Sequence, residues 1–477
     1  MNLYVFAIGG SGSRVLRSLT MLLAAGVQTD SNIIPIIIDP DASNGDLDRT
    51  VCGLRQYEEV RSELSYNNTF NYKFFSTVIT SLNNDGNYLL PLVGTAGINY
   101  DRYLALNGMS QENQALAKML FSNKNLSSTM DVGFKGNPNI GSIVLNQFTQ
   151  SADFKNFEAN FVTGDKVFII SSIFGGTGAS GFPLILKTLR TSNNTALTSA
   201  PIGAVSLLPY FNLKTDDNSS IQADSFITKA KAALHYYEKN VTGNGTLNDM
   251  YYLGDEFSSH GYDNCDGGNN QSNDAHFIEL LGALAILDFD AKQFTGAATS
   301  TSFHEFGLNT TPKGSIIFSD LGNRTNTIIK KPLSMMAIMN SYLNNRDVSH
   351  RVDQKWAKDR GALLGSSFFN STFFSIYERF KAMFEEWINE LERNEISFAP
   401  FYKDSDVRDS DGLAKVQDTK PTYPGLNPFR KKGYDLVDEM LGKNLSSIPS
   451  NTSAPITFME VFHKTLSDIC NKNLNIQ

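Results

Sequence analysis

The stretch KVFIISSIFGGTGASG, Lys166 to Gly181, restricts the possible folds more than any other part of the chain. Val167 to Ile173 carries no charge and is largely apolar, as befits a strand buried on both faces of a parallel sheet. It runs directly into Gly175, Gly176, Thr177 and Gly178, and then into a helical pattern from Phe182 to Leu189. Strand, glycine turn and helix in that order aim several backbone N–H groups at one point beyond the strand end. The helix N-terminus adds partial positive charge there, so the turn suits a phosphate. Glycine is required because a Cβ would hold a polyphosphate away from the backbone. A purely structural tight turn has the same local pattern. What favours a ligand is a second turn of the same kind.

That second turn lies near the N-terminus. Leu3 to Ile8 reads as a buried strand, followed by Gly9, Gly10, Ser11, Gly12 and Ser13. An amphipathic helix follows, with Val15, Leu16, Leu19, Leu22 and Leu23 on one face and Gly26 at its end. No Lys-Ser/Thr pair follows the glycines, so this is not a P-loop. A dinucleotide fingerprint needs a third glycine where Val15 stands. Ile33 to Ile38 is the next strand and ends in Asp39, Pro40 and Asp41. An acid at that place holds a ribose in dinucleotide enzymes, organises Mg²⁺ at a triphosphate through water, or is a solvated strand end. The residues alone leave all three open.

Composition narrows the class. The chain has 477 residues, 41% hydrophobic and 19% charged, which suits two domains with ample core. A formal net charge of -8 and the lack of a basic cluster argue against a nucleic-acid surface. Cys52, Cys265 and Cys470 lie far apart without metal-ligand spacing, as expected for a reducing cytoplasm and no protein-ligated metal. Leu3 to Ile8 is too short for a signal peptide and no basic residue precedes it. No apolar run is long enough to span a bilayer, so no membrane partner is expected.

Taken together, the glycine turns resemble the nucleotide loops of the tubulin/FtsZ superfamily, nearest to its divergent bacterial tubulin-like members. AIGGSGSRVLRSL looks like the first nucleotide loop, and IFGGTGASG resembles the signature loop with Gly-Gly-Thr-Gly at its core. FKGNPNIGS, Phe134 to Ser142, is similar to the loop that faces the γ-phosphate. The resemblance covers residues 1 to 290 or so and implies an α/β fold. That fold is a mostly parallel Rossmann-like sheet with helices on both faces, a buried central helix and a smaller, largely helical second domain. It also implies GTP or GDP with Mg²⁺. Gly9, Gly10, Ser11, Gly12 and Ser13 would cradle the α- and β-phosphates, and Gly136 and Asn137 would face the γ-phosphate. Gly175, Gly176, Thr177 and Gly178 would wrap the β- and γ-phosphates, with Asp39 and Asp41 near the metal. Arg14, Phe174 and Ser180 depart from the family pattern.

Ile202 to Leu208 is a further strand ending in Pro209, Tyr210 and Phe211, where the resemblance places a loop over the ribose. Ala223 to Tyr237 reads as a helix and Met250 to Leu253 as a short strand. From Asp274 to Phe289 the chain is apolar on nearly every face, so this helix is expected between two layers. By the resemblance, Asn273 and Asp274 in its first turn would meet the guanine edge, pairing with N1–H and the exocyclic amine. A helix cap without a ligand is the competing reading, and His276 reads as packed or capping. Asp288 and Asp290 at the far end are the catalytic candidates. In polymerising members, an acid after this helix enters the neighbouring subunit's site and orients water onto the γ-phosphate.

Residues 42–130 read as an insertion beside the sheet and a candidate partner surface. It carries aromatic patches such as Phe70 to Phe75 and a polar helix from Gln111 to Leu120. Ser302 to Phe306 and Ser315 to Phe318 are expected strands, after which helices dominate. Pro332 to Leu343 is Met-rich. Phe373, Ile376, Tyr377, Phe380, Phe384, Trp387, Ile388 and Leu391 recur at helical spacing and predict a long amphipathic helix, packed on the body or against a partner. Asp404 to Lys431, with three prolines, reads as a linker or an irregular arm. Two short helical pieces are expected near Tyr434 to Leu441 and Phe458 to Cys470. The expected boundaries are 1–271 for the nucleotide-binding domain, 272–290 for the central helix, 291–396 for a second domain and 397–477 for a C-terminal extension.

The leading expectation is a cytoplasmic GTP-binding protein, a GTPase that associates head-to-tail into filaments and completes hydrolysis with acids of the neighbouring copy. The alternative is a non-polymerising nucleotide-binding scaffold whose insertion or C-terminal helices hold a partner protein. A dinucleotide-dependent oxidoreductase would leave Gly175 to Gly178 without a role.

Overall fold

Apolar runs at regular intervals along the first two thirds of the chain pair into one sheet. The computed structural model describes residues 1–41, 44–64, 72–92, 94–95, 97–130, 134, 137–210, 212–213, 224–242, 245–255, 261–262, 273–304, 308, 314–407, 409–423 and 430–477. The sheet comprises β1 (Asn2–Ile8), β2 (Asn32–Ile38), β3 (Lys166–Ser172), β4 (Ile202–Leu207), β5 (Asp249–Leu253) and β6 (Ser302–His304). Its order is β2-β1-β3-β4-β5-β6, and every pairing is parallel. β3 is buried along its whole length, which is why its sequence does not alternate. Pro35 lies inside β2 with no N–H to give. Ile33 and Ile37 donate outward to the carbonyls of Val78 and Tyr88 at 2.8 Å each, and Pro35 falls in the gap between these two bonds. Its missing donor therefore breaks no ladder.

Side chains of β1 alternate between two helical layers. Ala7 meets α1 (Gly9–Ala24), where a Cβ on Gly12 would fall 2.7 Å from the Ala7 carbonyl carbon. Tyr4 and Phe6 pack edge-on against Phe157 on the other face, and Ile8 touches Gly181. Beside α1 lies α2 (Gly45–Glu63), while α3 (Gln111–Leu120) keeps only Ala117 buried. The opposite layer holds α4 (Pro138–Leu145) and α5 (Gly176–Arg190). α6 (Asp224–Tyr237) precedes β5, and α7 (Phe277–Asp290) is the central helix. Only Leu284 and Asp288 of α7 are not fully buried, as its uniformly apolar sequence requires. It packs on α1 at Gly282 and on β4 at Gly203, where Phe289 fills the space a Cβ would need.

The remainder is helical: α8 (Asn323–Asn345), α9 (Thr372–Arg393), α10 (Gly433–Leu445) and α11 (Ala454–Asn473). The apolar face of α9 is spent on the body of the protein. Its Phe380 lies 5.0 Å from Phe75 and 6.4 Å from Tyr57 of α2, and Trp387 donates to Ser18 of α1 at 3.2 Å. Three expectations change. Ser315 to Phe318 is not a strand: only an isolated bridge joins Ile316 to Phe398, and a 3₁₀ turn then starts at Phe318. The polar stretch after Asp404 is no free linker, because Leu413 and Val416 are buried and two 3₁₀ turns shape it. The last two helices are also longer than expected, running Gly433–Leu445 and Ala454–Asn473. α2, inside the expected insertion, packs beside α1 and against α9. Among the described residues no helix is long and apolar enough to cross a membrane.

Candidate functional site

From β1 the chain goes to β2 on one side, while β3 lies on the other. A crevice therefore opens beyond the C-terminal ends of β1 and β3, where open α/β sheets bind ligands. Both glycine turns sit there. Gly9 has φ +70°, a left-handed conformation suited to glycine, and turns the chain from β1 into α1. A Cβ on Gly9 would lie 3.3 Å from Thr177 Cβ and 3.8 Å from the Gly178 nitrogen, so the two turns touch. The third loop joins them: a Cβ on Gly141 would collide with Ser180 Oγ and fall 2.9 Å from the Gly176 carbonyl oxygen. Ser180 is locked in turn by donating to that same carbonyl at 2.7 Å.

α1 and α5 begin side by side at this crevice. Neither has a side-chain cap or an acid in its first turn. By contrast, Asn44, Asn137 and Ser371 cap α2, α4 and α9. The leading N–H groups of a helix need acceptors, and the helix dipole favours an anionic one. Gly10, Ser11 and Gly175 are the parts of the two turns that keep contact with solvent. Gly12, Ser13, Gly176, Thr177 and Gly178 lie behind them, buried. Asn137 accepts through Oδ1 from the Asn139 and Ile140 N–H groups, and Gly136 lies outside the described residues.

Asp39 and Asp41 end β2 on the flank of the crevice, both buried. Asp39 accepts from the Asp41 N–H at 3.0 Å. Burial, aided by the charge of Asp41, pushes the Asp39 carboxyl up to about 7. Among the described residues no group of three or more His, Cys, Asp or Glu is placed to hold a metal. Mg²⁺ with a nucleotide takes only one or two carboxylates, the phosphates supplying the rest. Asp39 and Asp41 fit that ligand set and not a free-standing metal site.

A buried triad borders the crevice. Arg14 pairs with Glu279 at 2.6 Å, and Tyr210 donates to the same Glu279 oxygen at 2.8 Å. Burial raises the Glu279 carboxyl against the pull of Arg14. His276 caps α7, taking the Ile278 N–H on Nδ1 at 3.1 Å, and burial first, then Arg14, holds it down to about 3. It stays neutral, as an acceptor must. Glu279 escaped the sequence reading, although it is the lone acid in the otherwise apolar first turns of α7, a signal that a partner cation must exist. Phe174, one of the departures, is buried and meets the Tyr210 ring edge at 6.1 Å.

The other candidates are distributed differently. Asn273 donates to Asp46 at 2.8 Å, and its carbonyl accepts from Arg49 at 2.6 Å. Asp274 takes both arms of Arg393 at 2.7 Å each. Both residues are thus engaged, Asn273 with α2 and Asp274 with α9. Pro209 lines a cavity of about 590 Å³ at the ends of β4 and β5, with Ile227, Lys231 and Asp255. Asp290 is at the opposite, N-terminal end of the strands, buried, accepting from the Asp30 and Ser31 N–H groups, Ser31 Oγ and Lys166 Nζ. No face of it is left for a neighbouring molecule. Asp288 is at the same end, bound by Tyr251 at 2.6 Å, Lys292 at 2.9 Å and Arg324 at 2.6 Å.

No family model matches the chain, and neither does any curated protein. Among solved structures it is similar to CetZ from Methanosaeta thermophila, at 15% identity and TM-score 0.26, over 53% of this chain and 46% of that one. It is also similar to the GTPγS-bound protofilament of CetZ2 from Haloferax volcanii, at 12% identity and TM-score 0.29, over 62% of this chain and 61% of that one. The chain thus spans less than two thirds of either structure. Likeness this partial carries no functional weight, and the loops themselves must.

Proposed function

We propose that this chain is a nucleotide-binding protein of the tubulin/FtsZ type that holds GTP or GDP in the crevice between β1 and β3. The observation that carries this reading is the contact between the Gly9 turn and the Thr177–Gly178 turn, which brings two uncapped helix starts to one point. Backbone N–H groups of Gly10 to Ser13 and Gly175 to Gly178 would receive the phosphates. Asp39 and Asp41 would take Mg²⁺, whose part is to neutralise charge on the phosphate oxygens. Positioned donors stabilise the charge that develops on a transferring phosphoryl group, but the attacking water still needs orienting. Asp288 sits at the far end of α7 from the crevice, so head-to-tail stacking would bring it to the next copy's nucleotide, an open-ended contact.

The test is to denature the purified protein and identify the released nucleotide, then to measure turnover per molecule against protein concentration. Released GTP or GDP with turnover that rises with concentration is expected. An empty crevice that binds neither nucleotide sinks the proposal. The scaffold reading is favoured by one observation: Asp290 is buried and Asp288 is held by two cations, so neither catalytic candidate stands unengaged. Bound nucleotide with turnover independent of concentration, and no GTP-dependent pelleting, would select it.

A further inference from the structure

The start of α2 lies against the first glycine turn and carries a donor that the crevice has so far left without a role. Asn44 immediately precedes α2 and is only 4% exposed. Its N–H reaches the Asp41 carbonyl at 3.3 Å, so the chain leaving the two acids of β2 folds straight back toward α1. Its Oδ1 accepts from the Asp46 N–H at 2.8 Å and the Leu47 N–H at 3.2 Å. Both partners are backbone donors and an amide nitrogen cannot accept from them, which settles how this amide is turned. The oxygen faces α2, and the nitrogen is on the side of Gly10. A Cβ on Gly10 would lie 3.9 Å from Asn44 Nδ2.

Two further contacts build this placement into the fold. Thr50, on the second turn of α2, donates to the Ser13 carbonyl at 3.0 Å and ties α2 to the first turns of α1. Asp46, the first acid of α2, is engaged elsewhere, with Arg49 and with Asn273 at 2.8 Å. Asn44 thus presents a neutral donor to the glycine turn, held in one rotamer by the cap it makes, so little freedom is lost when it binds. Gly10 keeps contact with solvent. An anion that accepts from the leading N–H groups of α1 comes within reach of a donor beside Gly10.

We propose that Asn44 is a ligand of the bound nucleotide as well as the cap of α2, its Nδ2 donating to an oxygen of the phosphates that the Gly9–Ser13 turn receives. This rests on the crevice being the nucleotide site. Capping alone does not require the amide, because serine and aspartate cap a helix as well as asparagine does. A serine hydroxyl is too short to cap α2 and face Gly10 at once. A carboxylate beside Asp39 and Asp41 would repel the phosphates, since it only accepts. The test separates cap from ligand. Asn44→Ser and Asn44→Asp both keep the cap and should hold Tm within about 2 °C of wild type. GDP is titrated calorimetrically into the full chain with EDTA present, so that no metal is drawn to the new carboxylate. It should bind Asn44→Ser about fivefold or more weakly than wild type, and Asn44→Asp at least tenfold more weakly. If Asn44 is only a cap, affinity follows Tm and both variants bind GDP as wild type does. That result overturns the inference and leaves the crevice reading standing. A wild type that binds neither GDP nor GTP removes both.

Discussion

Asp39 is a carboxyl held in the folded chain at about 7 against an ordinary value of 3.8, by burial first and by Asp41 second. The folded state therefore binds this proton more tightly than the unfolded one. Its contribution to stability is full below about 4, falls as pH rises toward about 7, and stays lost above. Asp39→Asn is expected to raise stability at pH 8 by about 1–3 kcal/mol and to change it little at pH 4, read as Tm across that range. If Asp39 takes the metal of a bound nucleotide, that metal would compete with the same proton. Affinity for metal-bound nucleotide should climb through pH 7 in the wild type and be flatter in the variant. Gly10 and Gly12 separate binding from folding. An added Cβ at Gly10 meets only Asn44 Nδ2 at 3.9 Å, whereas at Gly12 it falls 2.7 Å from the Ala7 backbone. Gly10→Ala should hold Tm nearly constant and weaken GTP at least tenfold, if phosphate approaches that backbone. Gly12→Ala should cost about 1–3 kcal/mol by pushing α1 off β1.

At the scale of elements, one buried acid of α9 binds three parts of the chain at once. Glu390 has a side chain only 1% exposed and accepts from Arg17 at 2.6 Å, Arg49 at 2.7 Å and the Ala275 N–H at 2.9 Å. It thus ties α1, α2 and the segment before α7 to one helix. Removing one member of a buried ionic cluster strands the others, so Glu390→Ala should cost about 3–5 kcal/mol in urea unfolding. Glu390→Gln, which keeps the acceptor, should cost less. A loss under about 1 kcal/mol for the alanine variant would mean that water reaches Arg17 and Arg49. Periodicity predicted α9 and its apolar face but not this role. Glu390 reads in the sequence as one more residue of the charged side, and only its partners, hundreds of positions away, set it apart.

For the whole molecule, the two ends of α7 define the expected polarity. One end borders the crevice through Glu279 and Arg14, and the other carries Asp288 beside Lys292 and Arg324. If copies stack end to end, Arg324→Ala frees Asp288 of one cation and should change the concentration dependence of GTP turnover at least twofold, with single-copy nucleotide affinity unchanged. Sedimentation with GTP against GDP reads the stacking itself. The sheet and both glycine turns were legible because each is a local signal: an apolar run, a turn that tolerates no Cβ, a helix. The second half was less so. Its helices show in the periodicity, but the stretch after Asp404 is polar by composition and is ordered by what it packs against.

Local chemistry alone therefore determined the strands, the helices and the need for glycine at the turns, since backbone sterics and side-chain period act over a few residues. It also placed glycine turns at the two strand ends that meet. Which acids stand near the crevice was settled only by tertiary structure. Asp290 is enclosed by Asp30, Ser31 and Lys166 at the far end of α7, while Arg14, Tyr210 and Glu279 come together beside the crevice. Burial and ion pairing depend on neighbours in space, and no spacing along a chain encodes them.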